Sequence, residues 1–454
     1  MTETQTTIAP HTQAPLVTRI YPTEFELDAL IRTAADAQKS WNRVSLDERI
    51  SKGYKFIDEF KKMQDEFPLE LTQQMGRPVS QTPGELRGML SRAEYMLSIA
   101  ASSLALVPLT DTDLPGFRRF IARVPLGVVL VIAPWNFPYL TAINSVLPAL
   151  LAGNAVLLKP SPQTPLTAER MQRALELAGF PPGLMQAVHL SQALAEIAVR
   201  HQLVDFVSFT GSVSGGRAVA KAAVDAAGFK GVALELGGKD PAYVRADADF
   251  DYTVAELVDG AFFNSGQSCC AIERIYVHES IFDKFVAAYV ELVKKYKLGD
   301  PTDPTTNLGP VVGVASANRI RKQVAAAVAA GAKQLIPENL FPAAVAIEKW
   351  IGIRRTASLA MEVMMEETFG PVIGIQSVSS DEEALRLMND SPYGLTASLW
   401  TDAAHNRESE AVFLNFADAL ETGTVFLNRP TLTTVVTSSI RRLRGQESRT
   451  ADAA

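Results

Sequence analysis

The chain has 454 residues, 47% of them hydrophobic and 20% charged, a balance that fits a globular protein of more than one domain and excludes a low-complexity chain. Forty-three Lys and Arg against 50 Asp and Glu leave a net charge of −7 with no long basic run, so composition gives no electrostatic case for nucleic acid. The longest apolar stretch, Val124 to Trp135, falls short of the ~20 residues a membrane helix needs, and the N-terminus lacks the apolar core of a signal peptide; a cytoplasmic protein with no membrane partner is expected.

In chain order, residues 24–103 predict helices, because apolar residues recur at helical spacing between charged faces. Leu114 to Gly127 alternates like a hairpin or an edge strand. From "GVVLVIAPW" onward, near-continuous apolar strands alternate with amphipathic helices as far as "VSGGRAVAKAAVDAAG". That pattern predicts an α/β fold with a doubly wound parallel sheet, binding its ligand at the carboxyl ends of the strands. A second α/β block starts near Gly237. The division expected is 1–236, with a bridging hairpin near 107–125, then 237–428, then an atypical and disordered tail over 429–454.

Several stretches carry residues suited to chemistry. "FTGSVSGG" closes a strand and opens a helix, where backbone N–H groups and the helix terminus suit a pyrophosphate; a plain glycine-rich turn is the competing reading. Lys159 in "VLLKPS" stands at a strand's carboxyl end, either for ribose or phosphate oxygens or simply solvated. Asn136 in "APWNFP" is held between two prolines, as an oxyanion donor needs, though Asn is also an ordinary turn residue. Glu235 in "LELGGKDP" is flanked by leucines; it is either a general base with a raised pKa or a glutamate on an exposed strand face.

Cys269 and Cys270 are the only cysteines, too few for a disulfide framework. One can be a nucleophile and the other a packing residue, since neighbouring side chains on a strand point apart. The five histidines lack ligand spacing, so no metal is expected, and none sits in a motif that would support a cysteine hydrolase.

Taken together, "PWNFP", "LLKPS", "FTGS", "LELGGK", "FFNSGQSC", "EETFGPV", "NDSPYGLTASLW" and "TGTVFLN" resemble the aldehyde dehydrogenase superfamily in order and separation, from about residue 20 to residue 428. The resemblance implies a cofactor domain followed by a catalytic domain that carries the nucleophile. It assigns Cys269 as nucleophile, Glu235 as general base and Asn136 as oxyanion donor alongside the Cys269 N–H. It places Lys159 on the adenosine ribose, Gly211, Ser212, Gly215 and Gly216 along the pyrophosphate, and Glu367 and Phe369 on the nicotinamide ribose and ring. Trp135 and Gly237 fall on the cofactor side too. The implied reaction oxidises an aldehyde to a carboxylic acid through a cysteine thiohemiacetal and thioester. The presence of Glu235 points to hydrolysis rather than transfer to coenzyme A.

The sequence departs from the family in three places. Pro162 stands where NAD-preferring members often carry an acidic residue, so NAD is expected with NADP also admitted. Phe341 to Met364 does not follow the family pattern, and the segment after Asn428 lacks the family's tunnel loop and its intersubunit strand. These two departures raise an alternative, a catalytically impaired relative with a weakened homo-oligomer. The aromatic residues Phe137, Tyr139 and Phe263 suggest an uncharged aliphatic or aromatic aldehyde.

Overall fold

The computed structural model describes residues 3–109, 116, 118–336, 352–353 and 361–430. It opens with an antiparallel pair, Thr4–Ile8 (β1) and Pro15–Ile20 (β2), which the sequence reading did not anticipate. Four helices follow: Glu24–Trp41 (α1), Leu46–Lys62 (α2), Phe67–Met75 (α3) and Thr82–Ser103 (α4). Helix α1 starts at a capping box in which Thr23 and Glu26 satisfy each other's backbone N–H groups. Its Leu27, Ile31, Ala34 and Trp41 form the buried face that the spacing predicts. Val107–Leu109 (β3) and Arg119–Ile121 (β4) then pair antiparallel. The predicted hairpin is thus present, but its first arm lies upstream of Leu114.

Next comes the first doubly wound unit. Its elements are Val128–Ile132 (β5), Pro138–Leu151 (α5), Ala155–Lys159 (β6), Pro165–Leu177 (α6), Met185–Ala187 (β7), Gln192–Arg200 (α7), Phe206–Thr210 (β8), Val213–Val224 (α8) and Gly231–Glu235 (β9). Strands β5 and β6 are buried at every position, as strands covered by helices on both faces must be. All pairs are parallel, in the order β7-β6-β5-β8-β9, so the order reverses between β5 and β8.

The chain then crosses to a second parallel sheet. The stretch "GVALELGGKDPAYV" is divided between the two sheets. Its first half is β9, its second is Asp240–Val244 (β10), and the glycines lie between them. Phe250–Phe262 (α9), Ile272–His278 (β11), Phe282–Val293 (α10), Val314–Ala329 (α11), Gly352–Ile353 (β12), Glu362–Met365 (α12), Ile373–Val378 (β13), Asp381–Asn389 (α13), Thr396–Trp400 (β14), Arg407–Ala419 (α14) and Thr424–Leu427 (β15) complete it. The strand order is β12-β13-β11-β10-β14-β15. Buried apolar residues form two clusters, one drawn from Leu27 to Leu236 and the other from Ala242 to Leu420. Most of the atypical stretch Phe341 to Met364, and the tail from 431 onward, lie outside the described residues.

Candidate active site

The reversal between β5 and β8 is where an open α/β sheet leaves a crevice for a ligand. The loop leaving β5 carries Trp135 and the buried Asn136. A buried ion pair that the sequence reading missed holds this loop. The Arg77 guanidinium donates both to the Glu85 carboxylate and to the Asn136 carbonyl. Glu85 in turn accepts the Tyr139 N–H at 2.9 Å, one of the donors left free at the start of α5.

Lys159 ends β6 and is buried. Among the described residues its ammonium donates to the Pro160 carbonyl at 3.2 Å and meets no carboxylate. Burial lowers its pKa to about 8. After β8, Ser212 caps α8 by accepting the Gly215 N–H at 3.1 Å. A Cβ at Gly211 or Gly215 would come within 2.7 or 2.8 Å of the Phe209 ring, and one at Gly216 within 2.5 Å of Leu236. Only glycines allow this close strand-to-helix turn, and an open helix terminus beside an unpaired buried ammonium suits the phosphates and ribose of a dinucleotide. Glu235 ends the edge strand β9. Solvent reaches its side chain, yet the surrounding protein desolvates it enough to raise its pKa above the usual carboxylate value.

From the second sheet, the loops before the strands face this crevice. The loop preceding β11 makes a tight turn in which Asn264, Ser265 and Gly266 all have positive φ (51°, 56° and 68°). One local and two long-range bonds hold the turn. Asn264 Nδ2 donates to the Gln267 carbonyl at 3.1 Å and the Asn136 carbonyl at 3.3 Å, and Val312 N–H donates to Gln267 Oε1 at 2.7 Å. Asn136 Nδ2 donates to the Gln267 carbonyl at 3.3 Å. The predicted oxyanion donor and the cysteine loop are therefore bonded to one another.

Cys269 and Cys270 follow, neither in a disulfide and both partly exposed. Donating its S–H to Cys270 pushes the Cys269 pKa well up, with burial and the acidic neighbours Asp240 and Glu367 adding to the effect. Cys270 is lowered to about 7, first by accepting that bond. The two thiols titrate as a pair, and ionisation of one suppresses ionisation of the other. Ser268 Oγ lies 3.4 Å from the Cys270 sulfur.

The segment between β9 and β10 packs against this loop, since a Cβ at Gly238 would lie 2.5 Å from the Cys269 carbonyl. Gly237 has no room for a Cβ beside the Glu367 carboxylate, and Gly238 N–H donates to Glu367 Oε1 at 3.1 Å. Burial, then the charge of Glu273, raise the Glu367 pKa to about 8. Phe369, at φ 50°, sets its ring edge-on to Trp135 with centroids 5.6 Å apart. The sequence-predicted residues thus come from the carboxyl ends of one sheet and the amino ends of the other. Trp135 meets Phe369, Gly237 and Gly238 pack on Glu367 and the Cys269 carbonyl, and Asn136 is bonded to Gln267 of the cysteine loop, while Lys159, Gly211 to Gly216 and Glu235 stand along the first sheet's edge of the crevice.

The aldehyde dehydrogenase family profile matches residues 1–440. The chain belongs to the aldehyde dehydrogenase family. It is an NAD(P)-dependent enzyme that oxidises an aldehyde. It is 32% identical over 424 residues to a D-glyceraldehyde dehydrogenase (NADP(+)) of Picrophilus torridus, covering 90% of this chain and 81% of that one. It is 32% identical to a succinate-semialdehyde dehydrogenase [NADP(+)] of Mycobacterium avium, over 94% of this chain and 89% of the relative. The structure matches betaine aldehyde dehydrogenase of Staphylococcus aureus in complex with NAD+ at a TM-score of 0.86 and 30% identity, covering 94% and 84% of the two chains. An aldehyde dehydrogenase of Brucella melitensis matches at 0.90 and 27% identity, covering 98% and 89%. None of these comparisons supports the catalytically impaired alternative.

One expectation about this aldehyde dehydrogenase changes. Phe137 and Phe263 stack near the site with centroids 6.4 Å apart, but Tyr139 turns into the helical core against Phe60 and Phe67 and cannot line a substrate path. A cavity of about 490 Å³ lined by Arg245, Asp247, His278 and Asp381 opens at the opposite ends of β10 and β11 from the thiols.

Proposed function

We propose that Cys269 is the nucleophile of a hydrolytic aldehyde dehydrogenase, with Asn136 and the Cys269 N–H stabilising the oxyanion and Glu235 serving as general base. The observation that carries this reading is the bond from the Asn136 amide to the Gln267 carbonyl, two residues before Cys269. It places a rigid amide donor beside the thiol loop, as stabilisation of a developing oxyanion requires. The thiolate adds to the carbonyl carbon, and oxidation leaves the acyl group on Cys269 as a thioester. Glu235, with its raised pKa, takes a proton from water as that water attacks the thioester. Lys159, Gly211, Ser212, Gly215 and Gly216 hold the adenosine and pyrophosphate portion of the dinucleotide; Trp135, Gly237, Glu367 and Phe369 hold the nicotinamide end. When bound, the nicotinamide supplies the hydride acceptor.

The Lys159 ammonium, which among the described residues meets no carboxylate, and the neutral Pro162 favour use of NADP as well as NAD, because neither repels a 2′-phosphate. The stacked Phe137 and Phe263 favour an uncharged aldehyde. The two buried clusters support reading 1–236 as the cofactor domain and 237–428 as the catalytic domain. Two cysteines that form no disulfide suit a reducing cytoplasm, and no helix among the described residues is long and apolar enough to cross a membrane. Exposed Leu106, Val107, Leu109, Phe120 and Val124 around the β3–β4 hairpin support a homo-oligomer, which light scattering of the purified chain would test.

The test of the activity is formation of reduced nicotinamide by the full chain with hexanal, benzaldehyde, succinate semialdehyde and betaine aldehyde, each with NAD+ and NADP+. Turnover is expected, highest with the two uncharged aliphatic and aromatic aldehydes. A folded chain inert towards all four would overturn the reading, and a preference for a charged aldehyde would overturn its substrate class.

A further inference from the structure

We propose that Glu273 is a positioning residue for the nicotinamide end of the site, acting as a buried staple that fixes the backbone of Glu367 to Phe369. The inference rests on the reading that Glu367 and Phe369 face the nicotinamide. Glu273 stands on β11 with its side chain almost wholly buried, four residues beyond Cys269. One carboxylate oxygen accepts the Phe369 N–H at 2.9 Å, and the other accepts the Thr368 N–H at 2.8 Å. The second oxygen also takes a bond from the Lys239 ammonium, which is buried as well and donates to Thr368 Oγ1 at 3.1 Å. One carboxylate therefore grips two successive peptide N–H groups and carries its own counter-charge.

The segment needs such a grip. Phe369 is held at φ 50°, where a bulky side chain is strained. No regular strand pairing is available to it, because β13 begins only at Ile373. The two flanking contacts point the same way. Gly238, next to Lys239, donates to the Glu367 carboxylate, and the Phe369 ring is set against Trp135. A Lys–Glu pair kept only for core stability could be placed anywhere along β10 and β11. This one stands where β10 and β11 begin, between the thiol loop and the Glu367 segment.

The test compares Glu273→Gln with the wild type in the full chain. Four measurements are made: dissociation constants for NAD+ and NADP+ from tryptophan fluorescence without aldehyde, KM and kcat for aldehyde, the iodoacetamide reaction rate of the thiols, and the melting temperature. Glutamine keeps the shape but sets an amide N–H₂ against one of the donors. Both cofactor dissociation constants are expected to rise about tenfold or more, as displaced positioning groups usually cause, with aldehyde KM and alkylation rate within about twofold of wild type. The double variant Lys239→Met/Glu273→Gln removes both charges together, so it regains thermal stability but not cofactor affinity. It serves as the test molecule if the single variant does not fold. Unchanged cofactor affinity alongside a lowered melting temperature would overturn the proposal and leave only a core ion pair. Glu367→Gln separates the two levels. If it weakens cofactor binding while Glu273→Gln does not, the staple alone is wrong; if neither does, the reading of the nicotinamide end is wrong as well.

Discussion

At the carboxyl ends of β5, β6 and β8, the proposed functional residues stand on short loops that run directly into helices. At the amino ends of β10, β11 and β13 they stand on loops held from a distance. The first set is built locally, from a strand, a glycine or proline turn and a helix terminus. Among the described residues, every positive φ at a non-glycine position in the site belongs to the second set, at Asn264, Ser265 and Phe369. Such residues cost about 1–3 kcal/mol each unless their surroundings hold them. Here the surroundings are long-range bonds: Asn264 to Asn136, Val312 to Gln267, Glu273 to Thr368 and Phe369. The bonds to the Glu273 carboxylate are charge-assisted and contribute about 1.5–3 kcal/mol each, enough to offset the strain at Phe369, while the neutral amide bonds around Asn264 contribute about 0.5–1.5 kcal/mol each. The strand-end turns at Lys159 and at Gly211 to Gly216 can thus form from their own sequence, the Asn136 loop is held also by Arg77 from a distance, and the thiol side exists only once both sheets are in place.

Substitutions of the groups proposed to act at the reacting carbon should have the larger effects, although two of them, Asn136 and Glu235, stand at the carboxyl ends of the first sheet. Cys269→Ala is expected to lower kcat by about 10⁴-fold or more, as loss of a covalent nucleophile does, while Cys270→Ala keeps turnover within about tenfold. Steady-state kinetics on both variants checks this, and equal losses would make the thiol pair, rather than one cysteine, the functional unit. Glu235→Gln should cost about 10²–10⁴-fold in kcat while leaving the first acylation intact, which a burst of reduced nicotinamide would reveal. Asn136→Ala should cost about 10²–10³-fold in kcat with little change in cofactor affinity.

Effects on the cofactor side are smaller and show in binding. Lys159→Met should weaken NADP+ about tenfold and NAD+ less if, as proposed, the ammonium faces the end of the cofactor where the two differ. A pH series sharpens the point. Lys159 is charged below about 8 and loses its proton above it, so NADP+ affinity should fall as pH rises through that value while NAD+ affinity changes less. Fluorescence titrations across pH would show it, and parallel curves for the two cofactors would place the 2′-phosphate away from Lys159.

The same contrast explains what could be read from sequence. The strand–turn–helix rhythm placed Lys159, Asn136 and Gly211 to Gly216 at strand ends, because each signal is complete within about ten residues. Cys269 and Glu235 were legible as residue types out of place. Arg77, Glu85, Lys239 and Glu273 were not, because a buried charge is recognised by its partner, and Arg77 meets Asn136 59 residues away while Glu273 meets Phe369 96 residues away. The β1–β2 pair was missed because Thr4–Ile8 buries only alternate polar residues, Gln5 and Thr7, and shows no apolar period. Tyr139 was misplaced for a related reason. It neighbours Phe137 in sequence, but the first turn of α5 swings it into the helical core.

The most direct test of the central claim, that the two sheet ends meet at Cys269, is mass spectrometry of Glu235→Gln incubated with hexanal and NAD+ or NADP+ and then quenched in acid. One acyl group per chain, on Cys269 and dependent on the oxidised cofactor, is the predicted result. An acyl group on Cys270, or none despite reduced nicotinamide being formed, would contradict it.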